Sequence, residues 1–221
     1  MGKVQGRSEN VKWVTSLPTF SSGVSLWLVP TAAQMDAIKS SLPRRPSIDV
    51  DHPLSPSSYP AFLPHITLAT VPLSDPGIPD VLLAAVPAIH QPIRANFQSL
   101  AVGDHYFRSV SIDIQPTQEL VDFQNQIVIN LRRRGFEPSA PRFPHMSLCY
   151  IADEDKGHRD QTAQLLRDTG VVDERTQSAS LRCGEVSITG FDGAEVWVAK
   201  CEGPVETWEV DEKKAKLTLK S

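Results

Sequence analysis

The chain has 221 residues, 40% of them apolar and 22% charged, and its 22 basic and 26 acidic side chains leave a net charge of −4. That length suits one large domain or two small lobes with a full core, and the composition excludes collagen-like, coiled-coil and mostly disordered chains. The acidic balance argues against coating nucleic acid through bulk charge, no run approaches the roughly 18 apolar residues of a membrane span, and three scattered cysteines (Cys149, Cys183, Cys201) supply neither a disulfide framework nor a metal knuckle.

Residues 1–22 are polar, lack sustained periodicity and read as a flexible leader without the apolar core of a signal peptide. Met1-Gly2 opens like a myristoylation site, but Gly6 stands where Ser or Thr is required. The expectation is an intracellular, cytoplasmic protein. Residues 24–30 (VSLWLVP) read as a buried strand. Thr31 then starts a helix, its hydroxyl capping the free amides while Gln34 reaches back. Met35, Ile38 and Leu42 share a face, and Pro43 stops the run.

Residues 43–64 look like loop, and twelve of the eighteen prolines lie from Pro30 to Pro92. A structureless stretch of roughly twenty residues serves either as a lid or as a surface insertion. Arg44 and Arg45 within it are candidates for steering an anion. Residues 65–71 read as a strand, and residues 80–89 as a short helix interrupted by Pro87. Residues 93–102 and 106–114 read as strands joined by a turn at Gly103-Asp104-His105. Residues 117–134 form the best helix, with Leu120, Phe123, Ile127 and Leu131 as its apolar stripe. Arg132, Arg133 and Arg134 sit at its negative dipole end, where a solvated helix terminus explains them better than a phosphate site, and Gly135 follows. Residues 145–151 are another strand, and residues 159–168 a helix ending before Gly170. Residues 185–189 and 195–201 form a final hairpin across Phe191-Asp192-Gly193. The tail from residue 211 is charged. This order argues for an α+β fold with antiparallel sheets. Neither GxGxxG nor GxxxxGK[ST] occurs.

One pattern stands out. Leu63-Pro64-His65-Ile66-Thr67-Leu68-Ala69-Thr70-Val71 and Phe143-Pro144-His145-Met146-Ser147-Leu148-Cys149-Tyr150-Ile151 are one nine-residue segment written twice, 80 residues apart. Pro, His and Leu are identical, and Thr and Ser share a hydroxyl. A single histidine at a strand start is more often structural, but the same frame occurring twice argues for two related halves. On a strand, side chains alternate faces. His65 and Thr67 therefore share one face, and His145 and Ser147 the matching one, while Ile66, Leu68, Met146 and Leu148 point into a core. Two imidazoles and two hydroxyls converging on a cleft suit phosphodiester hydrolysis. Imidazole takes and gives protons near neutral pH, the hydroxyls steady the phosphoryl oxygens, and neither a metal nor a cofactor is required. The other histidines (His52, His90, His105, His158) fall in loops or turns and read as solvated, and the cysteines as small buried apolar residues.

With these paired motifs the chain resembles the 2H phosphoesterase superfamily. Its context, Ser25-Leu26-Trp27-Leu28-Val29-Pro30 and Val102-Gly103-Asp104-His105-Tyr106-Phe107-Arg108, is most similar to the fungal and plant 2',3'-cyclic-nucleotide 3'-phosphodiesterases. The resemblance implies a bilobal α+β fold, two pseudo-symmetric lobes whose antiparallel sheets line a central cleft with helices outside. Residues 23–205 are then one bilobal domain, flanked by the leader 1–22 and the charged tail 206–221.

The implied reaction is metal-independent hydrolysis of nucleoside 2',3'-cyclic phosphates to 2'-phosphates. It extends to ADP-ribose 1'',2''-cyclic phosphate, a by-product of tRNA splicing, opened to the 1''-phosphate. His65 and His145 carry over as the acid–base pair and Thr67 and Ser147 as phosphate ligands; of the two assignments that the similar halves leave open, His145 toward water and His65 toward the leaving oxygen is preferred here over the reverse. Tyr150 matches an aromatic position near the phosphate, although strict alternation puts it on the opposite face unless the strand bulges. Trp27 is a candidate for stacking on a base, with a buried strand tryptophan as the commoner outcome. The expected partner is a small phosphorylated nucleotide bound by a monomer, without membrane or bulk nucleic acid. The alternatives are a 2H enzyme acting on RNA ends and a non-catalytic module holding a nucleotide or RNA end.

Overall fold

The computed structural model describes residues 23–47, 53–73, 77–88, 91–140 and 142–210. The leader, His52, His90, Ile89 and the tail from residue 211 lie outside the described residues. Among the described residues ten strands and four helices run in the order β1 (Gly23–Pro30), α1 (Ala32–Ser41), β2 (Ile66–Pro72), α2 (Ile78–Ala85), β3 (Ile93–Val102), β4 (Val110–Ile114), α3 (Gln118–Arg132), β5 (His145–Cys149), α4 (Gly157–Asp168), β6 (Val172–Arg175), β7 (Ser178–Cys183), β8 (Val186–Ile188), β9 (Gly190–Cys201) and β10 (Glu209–Val210). Every strand pairing is antiparallel.

The main sheet runs β1-β2-β5-β4-β3-β9-β10, and β1 also pairs with β9, so six strands form a closed ring. Closure is possible because β9 is long: its start pairs with β3 from Gly190 to Gly193, and its remainder pairs with β1 from Gly193 to Cys201. Two halves result, β1-β2 with the end of β9 and β5-β4-β3 with its beginning. They meet at the seam between β2 and β5. The core between ring and helices holds Leu26, Leu28, Ile66, Leu68, Ile112, Met146 and Leu148, none more than 1% exposed. Each such side chain contributes about 1.5–3 kcal/mol by burial.

The helices form where capping and periodicity agree. Thr31 accepts from the Gln34 amide at the start of α1, and Thr117 from the Leu120 amide at the start of α3. The expected stripe of α3 is buried, and Gly135 beyond it adopts φ +84°. Gln34 reaches back as expected, accepting from the Thr31 hydroxyl at 3.1 Å, and the same side chain also bridges to β9, donating to the Asp192 carboxylate and accepting from the Asp192 amide, each at 3.0 Å.

Three chain-order expectations are corrected. The stretch 106–114 is not one strand, because Tyr106–Arg108 forms a 3-10 turn before β4. The final hairpin does not form. β8 pairs with β7 across Gly184 (φ +65°), and Phe191-Asp192-Gly193 lies inside continuous β9. Gly193 is there for close packing rather than turning, since a Cβ would sit 2.6 Å from the Leu28 side chain. A small sheet, β6-β7-β8, was not anticipated: its outward residues Asp173, Glu174 and Arg175 hide the strand signal.

The described part of residues 43–64 contains no helix or strand, yet it is firmly attached. Arg45 donates to the carbonyls of Leu54, Ser55, Pro56 and Ser58. Buried Ser58 donates to Asp155 and accepts from the Ala152 amide. The Tyr59 amide donates to the Tyr150 carbonyl at 2.7 Å. Arg45 is therefore the internal brace of this loop rather than a lure for anions, and neither it nor Arg44 lines the cavity described next.

Candidate active site

The seam between β2 and β5 brings the two repeats together. Ile66 pairs with Met146, each the middle residue of its His-x-hydroxyl triplet and each fully buried. The antiparallel direction sets His65 on the same side of that pair as Ser147, and Thr67 on the same side as His145. All four side chains then emerge on the opposite face and line one cavity of ≈ 220 Å³. Diagonal neighbours on such a pair are about 7–8 Å apart at their backbones, which leaves room for a tetrahedral phosphoryl group between the two rings.

Each imidazole is oriented by the chain just before it. His65 Nδ1 donates to the Leu63 carbonyl at 2.6 Å, and His145 Nδ1 to the Arg142 carbonyl at 2.9 Å. Both Nε2 atoms are thereby free for a ligand. Arg142 presents its carbonyl from a left-handed backbone, φ +57°. Beyond this shared device the two rings differ. Trp27, directly across from Thr67 on β1, stacks on His65 at 3.8 Å between centroids and 10° between planes. His145 is half-buried and sits opposite Asp113 on β4.

Burial dominates the electrostatics. It lowers His65 from 6.5 to about 4, against the opposing hydrogen bond to Leu63, with a small further lowering from His145. It also lowers His145, there opposed by the Arg142 carbonyl and by Asp113 and assisted by the charges of Arg142 and Arg108.

The repeats share a second feature. The β1–β2 register slips between Leu26–Ala69 and Trp27–Thr67, making Leu68 an extra residue, and the β4–β5 register slips between Val110–Cys149 and Ser111–Ser147, making Leu148 the extra residue. Leu68 and Ala69 are consequently both core residues, as are Leu148 and Cys149. The next side chains, Thr70 and Tyr150, turn to the cavity. Strict alternation is thus overridden at Tyr150. Burial raises the pKa of its hydroxyl, with Ser147 acting in the opposite direction.

Trp27 also lines the cavity, but it is 3% exposed, with one neighbour stacked on it (His65) and another, Trp208, tilted against it at 6.0 Å. His105, Phe107, Arg108, Trp208, Ser25, Thr70, Ser139 and Cys201 complete the lining. Sequence reasoning missed them as site residues. His105 in particular is half-buried and faces the cavity instead of standing in solvent. Ser25 and Thr70 bond each other at 2.8 Å. The three cysteines are free and buried as expected, and burial pushes the Cys201 thiol up to about 11.

Among the described residues no group of three or more His, Cys, Asp or Glu side chains is arranged to hold a metal ion, and no helix is long and apolar enough to cross a membrane. The arrangement can do three things chemically: accept a proton at one imidazole, deliver one from the other, and hold oxyanions at two hydroxyls.

Comparison with known proteins is consistent with this picture. A family model described as cyclic phosphodiesterase-like protein matches residues 22–215. No curated protein sequence matches the chain. A solved structure of a phosphoesterase is similar in fold, with a TM-score of 0.50 and 14% identity over 86% of this chain and 93% of that one. E. coli LigT complexed with NADP+ gives 0.49 and 12% over 86% and 93%. The MHV ns2 PDE domain gives 0.39 and 15% over 61% and 87%.

Proposed function

The chain belongs to the cyclic phosphodiesterase-like family, within the 2H phosphoesterases, and from that premise we propose that it hydrolyses nucleoside 2',3'-cyclic phosphates to nucleoside 2'-phosphates. The observation carrying this reading is that both His-x-hydroxyl frames open into one cavity from strands paired at their central residues. Thr67 and Ser147 hold the two non-bridging oxygens of the cyclic phosphate. One imidazole takes a proton from water as its oxygen bonds to phosphorus. The P–O3' bond breaks on the far side, and the other imidazole gives its proton to O3'. The product is a 2'-phosphate with a free 3'-hydroxyl, and the two histidines have exchanged protonation states.

The two rings are not equivalent for these roles. His65, enclosed and stacked under Trp27, is the harder to protonate. His145 is less enclosed and has Asp113 beside it, which favours its charged form. This asymmetry favours His65 as the proton acceptor and His145 as the donor, the reverse of the assignment preferred from the sequence. A phosphodiester with a nitrophenolate leaving group needs no proton donor and tests the assignment. On it His145→Ala should regain most of its activity and His65→Ala little; the opposite pattern would restore the assignment preferred from the sequence, and failure of the wild type on any 2',3'-cyclic nucleotide would remove the reading.

A further inference from the structure

Apart from the paired motifs, the cavity carries one feature that hydrolysis of a simple cyclic phosphate leaves unused. Among the described residues lining it, Arg108 alone bears a permanent charge, and no carboxylate joins it. It stands on neither motif strand. It closes the 3-10 turn Tyr106–Arg108, which is fixed from beneath: Ser109 Oγ donates to the Tyr106 carbonyl at 2.7 Å and accepts from the Ile151 amide at 2.8 Å, just past Tyr150. On the other side the Gly103 amide donates to the Ser109 carbonyl at 3.0 Å. The turn is thereby held against the bulged end of the second repeat.

The guanidinium is oriented as well. Its Nε donates to His105 Nε2 at 2.7 Å, so that imidazole spends its lone pair on the arginine. Among the described residues its ion-pair partner is Asp104, which comes no closer than 3.9 Å and is 85% exposed, where water screens the pair. The outer edge, Nη1 and Nη2, makes no hydrogen bond to a described residue. A planar fork fastened at its inner edge and bare at its outer one, in a cavity free of carboxylates, matches the oxygens of a phosphate. In the reading above the reacting phosphoryl group has its own partners, Thr67, Ser147 and the two imidazoles, and Arg108 reaches that end of the cavity only through its charge, which acts on His145.

We propose that Arg108, positioned by His105, binds a second phosphoryl group on the substrate. The preferred substrate is then a nucleotide that carries another phosphate, such as a 5'-phosphate, besides the cyclic one. This rests on the nucleotide reading of the cavity given above, and its test is one of binding, separate from turnover. Titration calorimetry compares adenosine 2'-monophosphate with adenosine 2',5'-bisphosphate on the wild type and on variants whose melting temperatures confirm folding. The wild type should bind the bisphosphate about tenfold tighter or more. Arg108→Gln should bring the ratio of the two Kd values near one, and Arg108→Lys should keep part of it. His105→Ala should shrink the ratio, and His105→Gln, which retains an acceptor, should restore it.

Equal affinities in the wild type, or a ratio unchanged in Arg108→Gln, would overturn the proposal. So would equal weakening of both ligands in Arg108→Gln, which would make Arg108 a ligand of the phosphate between the histidines. A persistent gap without hydrolysis of any cyclic nucleotide would leave the second-phosphate site standing and remove the reaction; hydrolysis without a gap would do the reverse.

Discussion

Ile66 and Met146 face each other across the seam between β2 and β5, each flanked by a histidine and a hydroxyl residue. Their pairing is what turns two distant sequence segments into one site. Because both are fully buried, their neighbours on either side must point to the other surface. Because the strands run antiparallel, each histidine lies near the other strand's hydroxyl. A polar residue at position 66 or 146 would place an unsatisfied group in the core and disturb both His-x-hydroxyl frames together.

In the proposed reaction each imidazole carries one of two required proton transfers. His65→Ala and His145→Ala should each lower kcat on 2',3'-cyclic AMP by about 10²–10⁴-fold, and the double variant should be little worse than either single one, because the residues act as a unit. Steady-state kinetics on the three variants checks this. Turnover indifferent to both changes would contradict it.

The pH dependence follows from burial. The proposed reaction needs one bare and one protonated imidazole, so rate should rise as the acceptor loses its proton and fall as the donor loses its own. Both rings are pushed below 6.5, His65 to about 4. The kcat/KM profile should therefore be a bell on the acid side of neutrality, its rising limb near pH 4 and its falling limb below 6.5, with the two values belonging to the coupled pair. The unfolded chain binds more protons than the folded one in this window, so stability should also decline as pH falls from 6.5 toward 4. A profile centred above pH 7 would speak against the assignment.

Trp27 governs His65 through the stack at 3.8 Å. Trp27→Leu should free the ring and admit water, lowering kcat on the order of 10- to 100-fold and moving the limb set by His65 upward toward 6.5. Trp27→Phe, which keeps an aromatic face, should recover most of both effects. A pH–rate series on the two variants distinguishes this from a mere packing defect, which would leave the limb in place.

Much of the geometry of this candidate site is legible in the sequence. The duplicated segment, its alternating faces and the helix stripe of α3 depend on local periodicity, which a sequence displays directly. Tyr150 was not placed by that logic, because the inserted residue is Leu148, and nothing in an apolar side chain says that the partner strand will skip it. Seen beside Leu68, the bulge is itself part of the repeat. His105 and Arg108 were missed for a different reason: they belong to a turn, and periodicity does not report where a turn folds back. Phe191-Asp192-Gly193 looked like a hairpin because Asp-Gly favours turns. The glycine instead lets Leu28 pack closely, a tertiary demand that leaves no local mark.

The loop containing Arg45 offers a test between bracing and steering. Arg45→Ala removes donors to four carbonyls of its own loop, which should cost about 1–3 kcal/mol and lower the melting temperature by roughly 2–10 °C. KM for a cyclic nucleotide should stay within twofold at low and moderate salt. A salt-dependent rise in KM without loss of stability would return Arg45 to the role of an anion lure.

The most direct measurement is incubation of the protein with 2',3'-cyclic AMP in excess chelator, followed by identification of the product isomer. Two imidazoles that carry both proton transfers should yield adenosine 2'-phosphate with no metal added. Absence of product, dependence on a restored metal ion, or release of the 3'-phosphate would contradict the account.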